Sequence, residues 1–153
     1  LVVADEQTGG KGRRGRAWCT PKGSAIAMTI VLRPDIRPEL ASMVTLVMGL
    51  SVAKAIGSLY PVSVGIKWPN DVVVNGKKIC GILTEMSAEM TGIHYLVIGT
   101  GINTNVEEFP EEIQSVATSL INEDGELLVK KEDGTVTAVY AGEVSVRGVY
   151  GYV

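Results

Sequence analysis

Histidine and cysteine are scarce in this chain of 153 residues: His94 is the only histidine, and Cys19 and Cys80 are the only cysteines. A Ser-His-Asp or Cys-His site would have to use His94, which lies in an apolar run predicted to be a strand. The metal-ligating residue types do not show the close spacing of a zinc site. The sequence therefore disfavours histidine-dependent nucleophilic catalysis and zinc binding.

The segments that direct proteins into or across membranes are also missing from the sequence. The apolar runs are shorter than the roughly 18 uncharged residues of a membrane span. A charged n-region with a small-residue cleavage site, the mark of a secretory signal, is absent. We therefore expect a cytoplasmic protein with two free thiols and no membrane partner.

Aromatic residues make up only 5% of the sequence, so aliphatic side chains must fill the core. The length of 153 residues suits one domain, or one domain with a small appendage, and the apolar content of 46% is enough to form a core. The net charge of −3 argues against a broadly basic surface that would bind nucleic acid in bulk.

Against this acidic background, the chain has one concentrated basic segment: residues 9–16 read Gly-Gly-Lys-Gly-Arg-Arg-Gly-Arg. Glycine lets the backbone approach a ligand closely, and the planar guanidinium matches carboxylate and phosphate oxygens. Trp18 offers a flat face to a base or ring. The segment predicts an anion site, although an RNA-binding Arg/Gly tail or a solvated loop has the same composition. Predicted core strands at residues 1–4 and 24–32 favour a loop held by a scaffold.

The hydrophobic pattern indicates an α+β fold with a mixed, largely antiparallel sheet packed against helices. A helix is predicted over residues 38–60, between two prolines, and Asn-Gly at residues 75–76 predicts a hairpin turn. The apolar helix positions are Leu40, Met43, Val44, Val47 and Leu50. Further strands are predicted at residues 62–68, 71–74, 78–87 and 93–99.

Two more motifs follow predicted strands. Residues 67–71, Lys-Trp-Pro-Asn-Asp, hold Lys67 at a strand end, where a cation can neutralise an approaching carboxylate and phosphate. Asp71 is a candidate to orient Lys67 or to help hold Mg²⁺. Residues 99–105, Gly-Thr-Gly-Ile-Asn-Thr-Asn, offer close backbone approach and amide groups, without the spacing of a P-loop.

Short strands with tight turns follow residue 121 and are typical of a small β-barrel. We therefore predict one domain over residues 1–120 and a second, incomplete one over residues 121–153.

In this order, residues 7–18, 67–71 and 99–103 resemble the catalytic domain of biotin protein ligases, and residues 141–148 are similar to their small SH3-like C-terminal domain. The resemblance implies an α+β fold of the class II synthetase and biotin/lipoate ligase type. It also implies that ATP with Mg²⁺ converts biotin into biotinyl-5′-AMP. A lysine of a biotin carboxyl carrier domain, such as that of acetyl-CoA carboxylase, then takes the biotinyl group.

The resemblance implies a role for individual residues. The implied catalytic residues are Lys67, Arg13 and Arg16. The implied biotin-binding residues are Gln7, Gly10, Lys11, Arg13 and Lys67. The implied nucleotide-binding residues are Arg14, Arg16, Trp18, Asn103 and Arg147. Metal ligands are left unassigned.

Two alternatives stay open. A lipoate or octanoate ligase or transferase shares the fold, although the Gly/Arg loop with Trp18 and the motif at residues 67–71 favour biotin. A nucleic-acid-binding module that uses the Arg/Gly loop belongs to another class and predicts a steep dependence of binding on salt.

The family also includes dimers and members with an N-terminal DNA-binding domain, and these residues indicate neither property. Relative to the family pattern, the sequence lacks a segment before Leu1 and a long stretch between residues 120 and 121.

Overall fold

The computed structural model describes residues 1–89, 92–124, 129–132, 135–138 and 144–146. The first strands and helix along the chain are β1 (Val2–Ala4), β2 (Ala25–Leu32), α1 (Ala41–Leu59), β3 (Val64–Lys67) and β4 (Asp71–Val74). They are followed by β5 (Lys77–Glu89), β6 (Gly92–Asn103) and α2 (Leu120–Asp124). The last strands are β7 (Val129–Glu132), β8 (Thr135–Ala138) and β9 (Val144–Val146).

One sheet contains six strands in the order β1-β2-β6-β5-β4-β3, and each neighbouring pair is antiparallel. A second antiparallel sheet has the order β7-β8-β9. The predicted α+β class is confirmed. The turn between β4 and β5 is also as predicted, because Asn75 and Gly76 have φ values of 50° and 81°, which suit a tight hairpin.

The predicted helix is confirmed, but three of the five apolar positions named for it are exposed. A 3₁₀ turn at Pro38–Leu40 leads into α1. Met43, Val47 and Leu50 are exposed. The residues of α1 that are buried instead are Ala41, Gly49, Val52 and Ile56.

The reason is close packing of small and polar groups on the sheet side of α1. A Cβ at Gly49 would lie 3.6 Å from Cδ1 of Ile82, and the hydroxyls of Thr45 and Thr84 are 2.7 Å apart. Because apolar residues occur around the whole helix, its hydrophobic pattern does not single out the face that packs.

By length and composition alone, the helical segment Pro38–Leu59 is long and apolar enough to cross a membrane. In the structure α1 contacts β3, β4 and β5, and its buried residues join the main core. That core is made by buried residues from α1, the sheet and α2: Val52, Ile56, Tyr60, Val72, Val74, Ile79, Cys80, Ile82, Ile98, Ile102 and Leu120.

The strand at the start of the chain is present, but it is not buried as predicted. Leu1, Val2 and Val3 are 58%, 65% and 48% exposed. β1 lies at an edge of the sheet and pairs only with β2 among the described strands. An edge strand has a neighbour on one side only, which leaves these side chains accessible.

Residues 121–123 are tied to the six-stranded unit. The backbone N–H of Ile121 donates to the carbonyl of Thr104, and the Asn122 amide donates to the carbonyls of Val106 and Glu107. α2 therefore packs with residues 1–120, and the division into two domains stays a prediction.

Two valines of α1 provide a test of the observed packing. Val52→Ala removes two buried methyl groups and should lower the free energy of unfolding by about 1–3 kcal/mol. Val47→Ala makes the same change at a side chain that is 61% exposed and should alter it by less than about 0.5 kcal/mol. Chemical denaturation measures both values. Equal losses in the two variants would contradict the assigned face.

Candidate functional site

Residues 10–18 of the basic segment fold back on themselves as a hairpin, called here the basic hairpin. The N–H of Trp18 donates to the carbonyl of Gly10 at 2.9 Å, and the N–H of Gly12 donates to the carbonyl of Arg16 at 2.7 Å. Lys11 and Ala17 form a bridge between these bonds. The segment is therefore a paired structure, as expected of a loop held by a scaffold.

Small residues of three neighbouring strands provide the surface on which the hairpin rests. Ala27 of β2, Gly101 of β6 and Gly81 of β5 lie side by side in register. The indole of Trp18 lies on these glycines, and a Cβ at Gly101 would overlap it. A Cβ at Gly81 would lie 2.9 Å from Cζ3 of the same ring. The two glycines are therefore required by the close approach of the indole.

A β-bulge brings a lysine to the same surface. Val72 pairs with Cys80, but Val73 pairs with Lys78, so Ile79 is an extra residue in β5. Strict alternation would place Lys78 on the core face with Cys80. The extra residue reverses that orientation, as bulges do. The Nζ atom of Lys78 would lie 3.1 Å from a Cβ at Gly81, on the face that carries the indole.

The Lys78 ammonium is held from two sides. It lies 2.7 Å from Oδ1 of Asp71 and 5.4 Å from the centroid of the Trp18 ring, within the range of a cation–π contact. Asp71 was a candidate to orient Lys67 or to help hold Mg²⁺, and the structure pairs it with Lys78. Lys67 is opposite Asp71 in the strand register, but its side chain is exposed at the end of β3.

These elements surround a cavity of about 230 Å³. Three cations, Lys11, Arg13 and Lys78, line it together with a single carboxylate, Glu85, among the described residues. Its wall also contains two buried polar atoms, Nε1 of Trp18 and Oγ1 of Thr100, without a hydrogen-bond partner in the described part of the chain. Because buried polar groups normally have partners, the cavity suits an anionic ligand that also carries acceptor groups.

The structure brings together some of the residues that the sequence singled out. Gln7, Lys11, Arg13 and Trp18 line the cavity. Gly10 lies just behind this wall, where a Cβ would be 3.3 Å from Oε1 of Gln7 and would overlap the carbonyl of Trp18.

Other predicted residues lie elsewhere. Lys67, Arg14 and Arg16 are exposed and do not line the cavity among the described residues. Asn103 is buried, and its amide donates to the carbonyl of Thr118 at 3.1 Å, so it holds the chain after β6. Arg147 lies outside the described residues.

Lys78, Gly81 and Asn70 were given no role from the sequence, and the close approach expected at Gly101 is made by the Trp18 indole. Asn70 pairs with β5 through two hydrogen bonds. Its side-chain amide donates to the backbone carbonyl of Ile82, and its backbone carbonyl accepts from the Ile82 N–H. The sequence signal for Lys78 is the lysine pair at residues 77–78, which follows the Asn-Gly turn and begins β5.

In the part of the chain that the structure describes, groups of three or more His, Cys, Asp or Glu side chains that would hold a metal are absent. The residues therefore do not define an all-protein site for Mg²⁺.

The sequence model of the Biotin/lipoate A/B protein ligase family matches residues 1–103, which is more than half of the chain. The chain belongs to this family.

The relatives of this family member include the bifunctional ligase/repressor BirA of Bacillus subtilis, with 44% identity over 82% of this chain and 39% of that protein. A biotin–[acetyl-CoA-carboxylase] ligase of Mycobacterium tuberculosis is 34% identical over 80% of the chain and 45% of that protein. The chain thus spans less than half the length of these relatives.

Solved structures show the same likeness. The biotin protein ligase of Aquifex aeolicus in complex with biotin and ATP superimposes with a TM-score of 0.71, at 39% identity, over 81% of this chain and 50% of that one. The enzyme of Leishmania major in complex with biotinyl-5-AMP superimposes with a TM-score of 0.64, at 31% identity, over 86% and 57%.

The glycine pair under Trp18 can be tested by fluorescence in a Trp68→Phe background, where Trp18 is the remaining tryptophan. Gly101→Ala should displace the indole and shift its emission to longer wavelength. Gly99→Ala is the control on the same strand, because its Cβ would meet the carbonyl of Leu83 at 3.7 Å, an ordinary contact. An unchanged emission spectrum for Gly101→Ala would contradict the position of the indole against Gly101.

The two thiols should differ sharply in reactivity. Cys19 is exposed, whereas Cys80 is buried. Burial raises the pKa of Cys80 to about 12, so it remains a thiol at pH 8. A thiol reagent at that pH should label Cys19 and leave Cys80 unmodified in the folded protein, as peptide mass spectrometry would show. Equal labelling would disprove the burial of Cys80.

Proposed function

We propose that the protein joins biotin to a lysine of a biotin carboxyl carrier domain, in two steps through biotinyl-5′-AMP. The observation that carries this proposal is the meeting of Lys11, Arg13 and Lys78 in one cavity beside the Trp18 indole. The names of the relatives and the ligands in the related structures support biotin and ATP as its substrates.

The first step brings two anions together. An oxygen of the biotin carboxylate attacks the α-phosphorus of ATP, the bond to the bridging oxygen of the β-phosphate breaks, and pyrophosphate leaves. Repulsion between carboxylate and phosphate opposes this approach, and charge builds up on the phosphoryl oxygens. Fixed cations in a cavity offset both effects, commonly by a factor of about 10²–10³ in rate for each donor.

Lys78 is the residue that we assign to the reacting groups, in place of Lys67. Its ammonium is half-buried between Asp71 and the indole, so it is positioned before a ligand arrives. Lys67 is exposed at the end of an edge strand and lies outside the cavity wall that the structure describes. Arg13 at the tip of the basic hairpin contributes a second cation to the cavity wall.

In the second step, the amine of the carrier lysine attacks the carbonyl carbon of the mixed anhydride. An amide bond forms, the bond from the carbonyl carbon to the phosphate oxygen breaks, AMP leaves, and the amine gives up a proton. The cations that held the phosphate in the first step also stabilise AMP as the leaving group.

The proposal also covers the metal ion, the oligomeric state, the location and the remaining site residues. Mg²⁺ arrives bound to the ATP phosphates. Dimerisation and a cytoplasmic location stay predictions, and so do the roles of Arg14, Arg16, Asn103 and Arg147. DNA binding is not part of the proposal, although some relatives are named ligase/repressors.

ATP–pyrophosphate exchange in the full-length protein tests the function. Exchange is measured with biotin, with lipoate, with octanoate and without an acid. We expect exchange that depends on biotin. Exchange with lipoate or octanoate alone would keep the chemistry and overturn the substrate. A protein without exchange that binds RNA with a steep salt dependence would instead support the nucleic-acid-binding alternative.

A pair of lysine variants tests the assignment of the cation. Lys78→Ala should lower the rate of biotin-dependent exchange by about 10²–10³. Lys67→Ala should change it by less than about threefold, because that side chain is outside the cavity. Thermal unfolding of both variants shows whether they are folded. A large loss in Lys67→Ala with a small one in Lys78→Ala would contradict the assignment.

A further inference from the structure

Thr20 is a buried polar residue two positions after the end of the basic hairpin. Its side chain is 1% exposed, and its hydroxyl donates to Oε1 of Gln7 at 3.1 Å. The backbones of the two residues are also joined, since the Gln7 N–H donates to the Thr20 carbonyl at 3.3 Å. Thr20 thus holds both the main chain and the side chain of Gln7.

This contact fixes the direction of the Gln7 amide. Its oxygen faces the Thr20 hydroxyl and lies against Gly10, where a Cβ would be 3.3 Å away. When the oxygen of a side-chain amide is held by a donor on one side, its NH₂ group points away from that donor. Gln7 lines the cavity, and within the described residues the NH₂ group has no acceptor.

We propose that Thr20 is a positioning residue for the acid substrate. It does not line the cavity in the described structure, but it orients Gln7 so that the amide N–H groups donate to an acceptor oxygen of that substrate. The identity of the acid as biotin rests on the proposed function. The Thr20 hydroxyl acts on acid affinity through Gln7 and leaves ATP affinity unchanged.

The chemistry of the contact explains why a hydroxyl is needed. Without it, the amide oxygen of Gln7 would lose its donor in a partly buried position, which is unfavourable, and the side chain would turn to find another. A turned or mobile amide loses its alignment with the ligand. The methyl group of Thr20 has no part in this alignment, so serine should replace threonine.

The experiment measures biotin affinity by calorimetry in the full-length protein and in four variants. Thr20→Val keeps the shape of the side chain and removes the hydroxyl, whereas Thr20→Ser keeps the hydroxyl. Gln7→Met removes the amide, and Thr20→Val with Gln7→Met tests whether the two residues act together. The KM for ATP and the thermal unfolding temperature are measured in parallel.

We expect Thr20→Val to weaken biotin binding by about 3- to 10-fold, the effect of one hydrogen bond. Thr20→Ser should stay within twofold of wild type, and both single Thr20 variants should keep the wild-type KM for ATP. In the Gln7→Met background, adding Thr20→Val should have no further effect.

Equal additional loss in both backgrounds would overturn the proposal, because Thr20 would then act independently of Gln7. Failure of Thr20→Ser to bind like wild type while it remains folded would also overturn it. The wild-type protein separates this proposal from the proposed function. If it binds lipoate and not biotin, the substrate is wrong, and the same four variants measured with lipoate decide the role of Thr20.

Discussion

The close approach of the Trp18 indole to bare backbone at Gly81 and Gly101 determines the arrangement of the whole site. A side chain at either glycine would meet the ring, so the indole can lie on the sheet only where two glycines are neighbours in register. When the ring lies there, the backbone N–H of Trp18 donates to the carbonyl of Gly10 and closes the basic hairpin. The hairpin in turn brings Lys11 and Arg13 into the cavity wall.

The same surface holds the third cation. Lys78 reaches the indole because Ile79 is an extra residue in β5, and Asp71 from the neighbouring strand fixes its ammonium. A cavity lined mainly by positive charge has a positive electrostatic potential, which attracts anions and stabilises them when they are bound. The arrangement suits a reaction whose difficulty is the approach of a carboxylate to a phosphate.

The fold was predictable where local signals were strong. The predictions were correct for the helix between two prolines, for the Asn-Gly turn at Asn75 and for the succession of strands that follows it. The buried face of α1 was not, since Met43, Val47 and Leu50 are as apolar as the residues that pack. Burial of β1 was also misjudged, because a strand's place at an edge depends on pairing across the whole sheet rather than on its own residues.

The site was predictable in its chemistry and less so in its residues. The glycines, cations and indole of residues 9–18 indicated an anion site. Of the residues singled out, Gln7, Lys11, Arg13 and Trp18 line the cavity. The missed residue, Lys78, depends on a bulge, and strict alternation assigns it to the core face. Asn103 has a contact that the sequence did not indicate, since its side-chain amide donates to the carbonyl of Thr118, and its role toward the nucleotide stays a prediction.

The most direct measurement is a crystal structure of the full-length protein with a non-hydrolysable sulfamoyl analogue of biotinyl-5′-AMP. The account predicts that Nζ of Lys78 lies within hydrogen-bond distance, about 3 Å, of the oxygens at the acyl–sulfamate junction, and that Arg13 faces the same group. Lys67 should remain exposed and away from the analogue. Contact of that junction with Lys67, and none with Lys78, would contradict the account.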